Sequence, residues 1–175
     1  MMVSPLSKLL LIPGLAVVLV SCNIGSEPRA VAVNNVMVQI NDSLFYMGRE
    51  FGNTVGNAVT SRNFSSLTPT RERFERFIDS SRQRLVTMKD VNGSERLRKS
   101  EIELLDVEKN MVVNDFTPFE RLTSFATMQE VTSLFDKIKE DSKMETDKMG
   151  NFKREQKLYA KRNGFKLEPN AAERR

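Results

Sequence analysis

Between positions 33 and 59 the apolar residues are Val33, Val36, Met37, Ile40, Leu44, Met47, Phe51, Val55 and Val59. They recur in steps of three and four, the spacing of one face of an α-helix. A strand at Val36, Val38 and Ile40 would require the alternation to continue, and it stops there. A stripe of about seven turns cannot stay in water, so the segment must bury it against other elements of similar length. This constraint sets the expectation for the whole chain: all-α, a small antiparallel bundle of about four helices.

The next segments supply the partners. Thr68-Pro69 reads as a helix start, because proline costs nothing in the first turn, where its missing N–H has no partner anyway. The buried face of that helix would be Phe74, Phe77, Ile78, Ser81, Leu85 and Met88, and Asn92-Gly93 would end it. Ser94 is the expected cap of a third helix, with Leu97, Ile102, Leu105, Met111 and Val112 turned inward and a stop near Asn114. Thr117 and Glu120 have capping-box spacing around Pro118. A fourth helix is expected from there, with Phe119, Leu122, Phe125, Ala126, Met128, Val131, Phe135 and Ile138 on its inner face and an interruption at Gly150. Phe152, Leu158 and Tyr159 add further turns, and Asn163-Gly164-Phe165 reads as a C-cap with an apolar follower.

Gly48, Gly52 and Gly56 form a row spaced by four beside the first stripe. Each glycine costs a helix about 1 kcal/mol relative to alanine. Three on one face predict a neighbouring helix pressed close to the backbone. A partner or self-association face and a membrane-inserting glycine zipper are the alternatives. Arg49, Glu50 and Asn53 make insertion costly.

The amino-terminal region is of a different kind. Lys8 precedes an apolar run from Leu9 to Val20, about a dozen residues and short of the roughly 20 that span a bilayer. This is the pattern of an export signal. It ends Leu19-Val20-Ser21-Cys22, and Cys22 is the chain's one cysteine. These four residues resemble the lipobox of bacterial lipoproteins position by position. The resemblance covers the leader alone. It implies cleavage before Cys22, a diacylglycerol on its sulfur and further acylation of the new amino group, which together anchor stably. A leftover free thiol would be unusual in an oxidising compartment. Asn23 is not the aspartate associated with inner-membrane retention, so the outer membrane is the expected address. The expected organisation is a signal peptide over 1–21, a lipidated tether over 22–30, a helical domain over 31–165 and a disordered basic tail over 166–175.

Absences narrow the chemistry. With no histidine and no second cysteine, the chain has no His-based triad, no Cys–His pair, no usual zinc site and no Glu-x-x-His di-iron set. No Gly-rich phosphate loop or Gly-x-Ser-x-Gly elbow occurs either. Glu72, Glu75 and Asp79 share a helix with Arg71, Arg73, Arg76 and Arg82, which reads as a salt-bridged face rather than a catalytic pair. Glu101/Glu103 and Asp136/Glu140 have no better claim to catalysis.

The net charge of +4 is unevenly spread: +5 over 61–99, −6 over 100–149 and +5 over 151–175. An acidic helical segment packed beside basic ones accounts for this. Nucleic-acid binding is not expected, for want of interleaved aromatics. The expected function is that of a lipid-anchored, non-enzymatic binding, assembly or pilot module with a protein partner and no metal or cofactor. A membrane-active or self-associating protein using the Gly48/Gly52/Gly56 face is the alternative.

Overall fold

The computed structural model describes residues 27–168. Cys22, the leader before it and the tail from position 169 lie outside the described residues. Helix α1 runs Glu27–Ser61, α2 Leu67–Thr87 and α3 Glu95–Met111. A π-helical turn Val112–Phe116 leads into the short α4, Thr117–Glu120, and α5 spans Met128–Asn163. The described residues contain no strand, and α1, α2, α3 and α5 form an antiparallel four-helix bundle.

The stripe on α1 behaves as its spacing requires. Val33, Met37, Ile40, Leu44, Phe51 and Val55 are buried, and they meet Phe74, Ile78 and Leu85 of α2, Leu97 and Leu105 of α3 and Phe152 and Tyr159 of α5 in one core. Phe116 lies flat on Phe51, with ring centroids 4.1 Å apart, and Phe119 meets Phe51 edge-on at 6.3 Å. Two helices of about 50 Å thus run side by side, with α1 and α5 antiparallel. Near one end Gln156 Nε2 donates to Asn34 Oδ1 at 2.9 Å; at the other the Arg62 guanidinium donates to the Ala126 carbonyl.

Several boundaries differ from expectation. Helix α1 starts at Glu27, inside the expected tether. Helix α2 stops at Thr87, not at Asn92-Gly93. Arg98 explains the earlier stop, since its Nη1 donates to the carbonyls of Leu85 (3.1 Å) and Met88 (2.6 Å). A guanidinium at a helix C-terminus satisfies its orphan carbonyls and its dipole together. Asn92 and Gly93 instead take left-handed φ values of 51° and 76° in the connecting turn. Ser94 does not cap α3 through its side chain; its hydroxyl accepts from Val91 N and donates to Asp90 inside that turn.

The largest departure is at the fourth helix. The chain from Thr117 makes only one helical turn and then breaks, and α5 begins eleven residues later. Glu120 is not free to close a capping box with Thr117, because it accepts from the Arg71 guanidinium and, at 2.8 Å, from Thr68 Oγ1. The working capping box is Thr127 with Glu130: Thr127 Oγ1 accepts from Glu130 N (3.2 Å), and Glu130 Oε2 accepts from Thr127 N (2.7 Å). The break turns Phe125 outward, 90% exposed, with Met128 at 59% and Phe135 at 44%. All three were expected inside. Gly150 does not interrupt α5. The carboxyl end follows expectation: Gly164 is left-handed at φ 72°, and Phe165 packs edge-on to Tyr159 at 6.0 Å.

Alternating charge is resolved as helix-to-helix pairing. Lys109 of α3 reaches Glu75 (2.8 Å) and Asp79 (2.7 Å) of α2, Arg82 of α2 reaches Asp106 (2.6 Å), and Lys148 of α5 reaches Glu103 (3.0 Å). The carboxylates of α2 are therefore a salt-bridged face, as their spacing with arginine predicts. Glu75 is held below the ordinary carboxylate range, chiefly by the Lys109 ammonium and, against the opposing pull of its own burial, by Arg71.

Candidate functional site

Two places in the bundle carry features that packing alone does not require. The first is a cleft in its middle. On α3, Leu97, Glu101, Leu104, Glu108 and Met111 succeed one another in steps of three and four, so two carboxyl groups stand on an otherwise apolar inward face. Glu101 is fully buried. Asn41 of α1, on the buried stripe between Met37 and Leu44, donates Nδ2 to both carboxyl oxygens at 3.1 and 3.0 Å. Burial with one hydrogen-bonding partner and no cation pushes the Glu101 carboxyl up to about 8. Two turns further on, Glu108 lines a cleft together with Glu145 of α5. Burial first, then the neighbouring carboxylates of Glu145 and Glu101, drive Glu108 well above the ordinary range.

Beside this pair opens a cleft of about 470 Å³ between α1, the π-helical turn and α5. Its walls are mainly apolar, among them Phe45, Phe74, Phe116, Ile138 and Met149. Asn41, Glu108 and Glu145 also line it, and Arg49 stands at its side over the Phe45 ring, 5.9 Å from the centroid. The Asn41 Oδ1 is buried without a hydrogen-bond partner. Among the described residues no group of three or more acidic, histidine or cysteine side chains is arranged to hold a metal ion.

The second place is the end of the bundle formed by 61–67 and 116–135. Leu122, Pro118 and Leu134 floor a shallow groove, rimmed by Thr127, Gln129, Glu130 and Ser133. Phe125 and Met128 project beside it. Asp115 is buried beneath this end and is tied to Lys137, whose ammonium is pushed up to about 12 by hydrogen bonds to Asp115 and Asp141.

The glycine row departs from expectation. Gly52 and Gly56 are exposed and Gly48 is half-exposed, and a Cβ built on any of the three meets nothing within 4 Å. No helix of the described chain presses against them. Contacts of α1 run along Phe51, Val55 and Ala58 instead, and the glycines stand off that stripe. Gly48 lines the mid-bundle cleft. Cys22, the expected lipid site, lies outside the described residues. No described helix is long and apolar enough to cross a membrane.

Glu108, Glu145 and Asn41 were not singled out in the sequence, and Glu101 was set aside with Glu103. A signal was present: each occupies a position of the inward stripe of its own helix, where a leucine would be expected. What the sequence lacks is the knowledge that three such positions face one another. No family model, curated protein or solved structure matches the chain.

Proposed function

We propose that the protein is a lipid-anchored, non-enzymatic binding module of the bacterial cell envelope. It is held at the outer membrane through Cys22 and presents the far end of its bundle to a protein partner. The observation that carries this reading is the contrast between the two ends. The end holding the start of α1 comprises 27–34, 88–99 and 153–168, with eleven bases against five acids. It lies five residues after Cys22, and a net +6 suits the neighbourhood of anionic lipid, where each basic residue near the surface contributes about 1 kcal/mol. The opposite end, 61–76 and 113–137, is balanced at six bases and six acids, and it carries Phe125, Met128 and the groove of Pro118, Leu122 and Leu134. An exposed phenylalanine beside an apolar groove is the anatomy of a contact centre that an apolar side chain of another protein would fill.

Two measurements test the two halves separately. Metabolic lipid labelling with fractionation should mark the wild type and not Cys22→Ala; an unlabelled wild type ends the anchor. A photo-crosslinker at position 128 should trap one defined protein in intact cells, and Phe125→Ser should abolish the adduct while Phe125→Leu keeps it. Adducts indifferent to position 125 would remove this end as the contact surface.

A second reading is self-association through α1. The openness of Gly52 and Gly56 supports it, because a bare backbone strip lets a second copy approach closely. Sedimentation of wild type and Gly52→Leu at matched concentration decides: an identical monomer for both removes it.

A further inference from the structure

Helix α5 changes sign along its length. From 128 to 150 it carries six acids against four bases, and from 151 to 163 five bases against one acid. The basic turns lie at the end of the bundle where α1 begins. Asn151, Glu155, Leu158 and Arg162 follow one another in steps of four and three, so they form one row along the helix. Asn151 and Glu155 border a shallow depression shared with Arg96 and Lys99 of α3. Further along the row, Arg162 Nη2 donates to the Gly93 carbonyl at 3.0 Å, just before α3 starts. Leu158 therefore sits on the seam of α3 and α5, with Arg96, Lys99 and Arg162 on one side. Arg154, Lys157 and Lys161 follow the other side in steps of three and four.

This patch is unanswered within the bundle. Leu158 is 46% exposed. Arg96, Lys99, Lys157 and Lys161 are exposed and enter no ion pair among the described residues. The acids of the seam are Glu103, taken by Lys148 at 3.0 Å, and Glu155, beside Arg154 at 3.9 Å. The nearest rings are not placed to stack on nucleic-acid bases: Tyr159 is fully buried with its hydroxyl donating to the Val91 carbonyl at 2.9 Å, and Phe165 packs edge-on against it. A leucine ringed by cations suits a bilayer surface, where the apolar side chain enters the headgroup region and the bases reach phosphates. Position points the same way. Helix α1 starts five residues after Cys22, and five residues reach at most about 18 Å.

We propose that the α3–α5 seam around Leu158 is a second membrane contact, docking on an anionic phospholipid surface. This inference rests on the anchor reading above and gives the anchored bundle an orientation. The bundle leans on this seam, the acid-rich turns of α5 are repelled by the same surface, and the groove beside Phe125 stays in water.

The test reads the environment of position 158 in the lipidated protein. Acylation of Cys22, the chain's one cysteine, leaves Leu158→Cys as the thiol that takes a polarity-sensitive dye. The protein is reconstituted in vesicles of phosphatidylcholine alone, and of phosphatidylcholine and phosphatidylglycerol in equal parts. The dye should shift to the blue on the anionic vesicles only, and return to its aqueous emission in high salt. A dye at Phe125→Cys should stay aqueous throughout. Each base near the surface is worth about fivefold in docked population, so adding Lys157→Gln/Lys161→Gln should lower the ratio of docked to undocked protein about 25-fold. A dye at 158 that stays aqueous on anionic vesicles, responds equally to both compositions or ignores the double substitution overturns the proposal. A response to duplex DNA or polyglutamate with none to vesicles also overturns it and assigns the seam to that class of partner. Failure of the anchor is read apart, by flotation: protein that does not float with phosphatidylcholine vesicles in high salt is not held by lipid, and the orientation falls with the anchor. Protein that floats yet keeps position 158 in water removes the docking alone.

Discussion

Glu101→Gln should make the protein more stable at neutral pH, and increasingly so in alkali. The carboxyl is fully buried and its titration is pushed from the ordinary 4.5 up to about 8 by burial, only partly opposed by the Asn41 amide. A raised carboxyl binds its proton more tightly in the folded than in the unfolded chain. Stability is therefore fully present below pH 4.5 and is lost as pH rises through 8. At 1.36 kcal/mol per unit, linkage gives a loss of up to about 1 kcal/mol at pH 5, about 3 at pH 7 and nearly 5 at pH 9. Glutamine has the same shape, offers Asn41 a carbonyl acceptor in place of that of the neutral carboxyl and never ionises. Subtracting the loss of about 1 kcal/mol for a weaker hydrogen bond, the variant should overtake the wild type between pH 5 and pH 7. Its lead should grow by about 4 kcal/mol between pH 5 and pH 9. Urea unfolding followed by helical circular dichroism at those three pH values measures this directly. Glu108 lowers wild-type stability in alkali with the same sign, so the difference between the two proteins, not either alone, is the readout. A difference that does not change with pH would refute the argument that Glu101 is buried in its neutral form.

Three further outcomes follow from the packing. Phe125→Ser should change stability by less than about 0.5 kcal/mol, since the ring is in water, whereas Phe119→Ala should cost about 3–5 kcal/mol; equal losses in denaturant titrations would mean Phe125 is packed after all. Gly52→Ala and Gly56→Ala should each stabilise α1 by about 0.5–1 kcal/mol, because nothing lies within 4 Å of the added methyl; a lowered melting temperature would restore a close contact along that face. Thr127→Ala should cost about 1 kcal/mol through loss of the capping box at the head of α5, measurable in the same titrations, and a neutral result would show that the box contributes nothing.

The stretches legible in the sequence are those where one local rule decides the outcome. The period of the α1 stripe, Asn163-Gly164 at the end of α5 and the inward faces of α2 and α3 are settled by geometry within a few turns of chain. The capping box at Thr127 was equally local, but Thr117-Pro118-Phe119-Glu120 offered the same spacing ten residues earlier. That segment lost its box because Arg71 and Thr68 of another helix claim Glu120. Helix α4 ends at Glu120, and Phe125 and Met128, which fit an uninterrupted inner face, end in solvent. The glycine row misled for a related reason. Small residues permit close approach but do not supply the neighbour, and the neighbours of α1 sit on its adjacent face.

By itself, then, the sequence determined that the chain is a bundle of long amphipathic helices. It also determined that, with no histidine and a single cysteine, the chain has no His-based triad, no Cys–His pair and no zinc site of the usual kind. Both follow from residue type and short-range spacing. Only the tertiary structure decided that Glu101 and Glu108 of α3, Glu145 of α5 and Asn41 of α1 meet. Each is merely a polar residue on a buried stripe of its own helix. What makes them a site is the register in which three helices separated by up to a hundred residues are brought together, and register is set by the whole core rather than by any one segment.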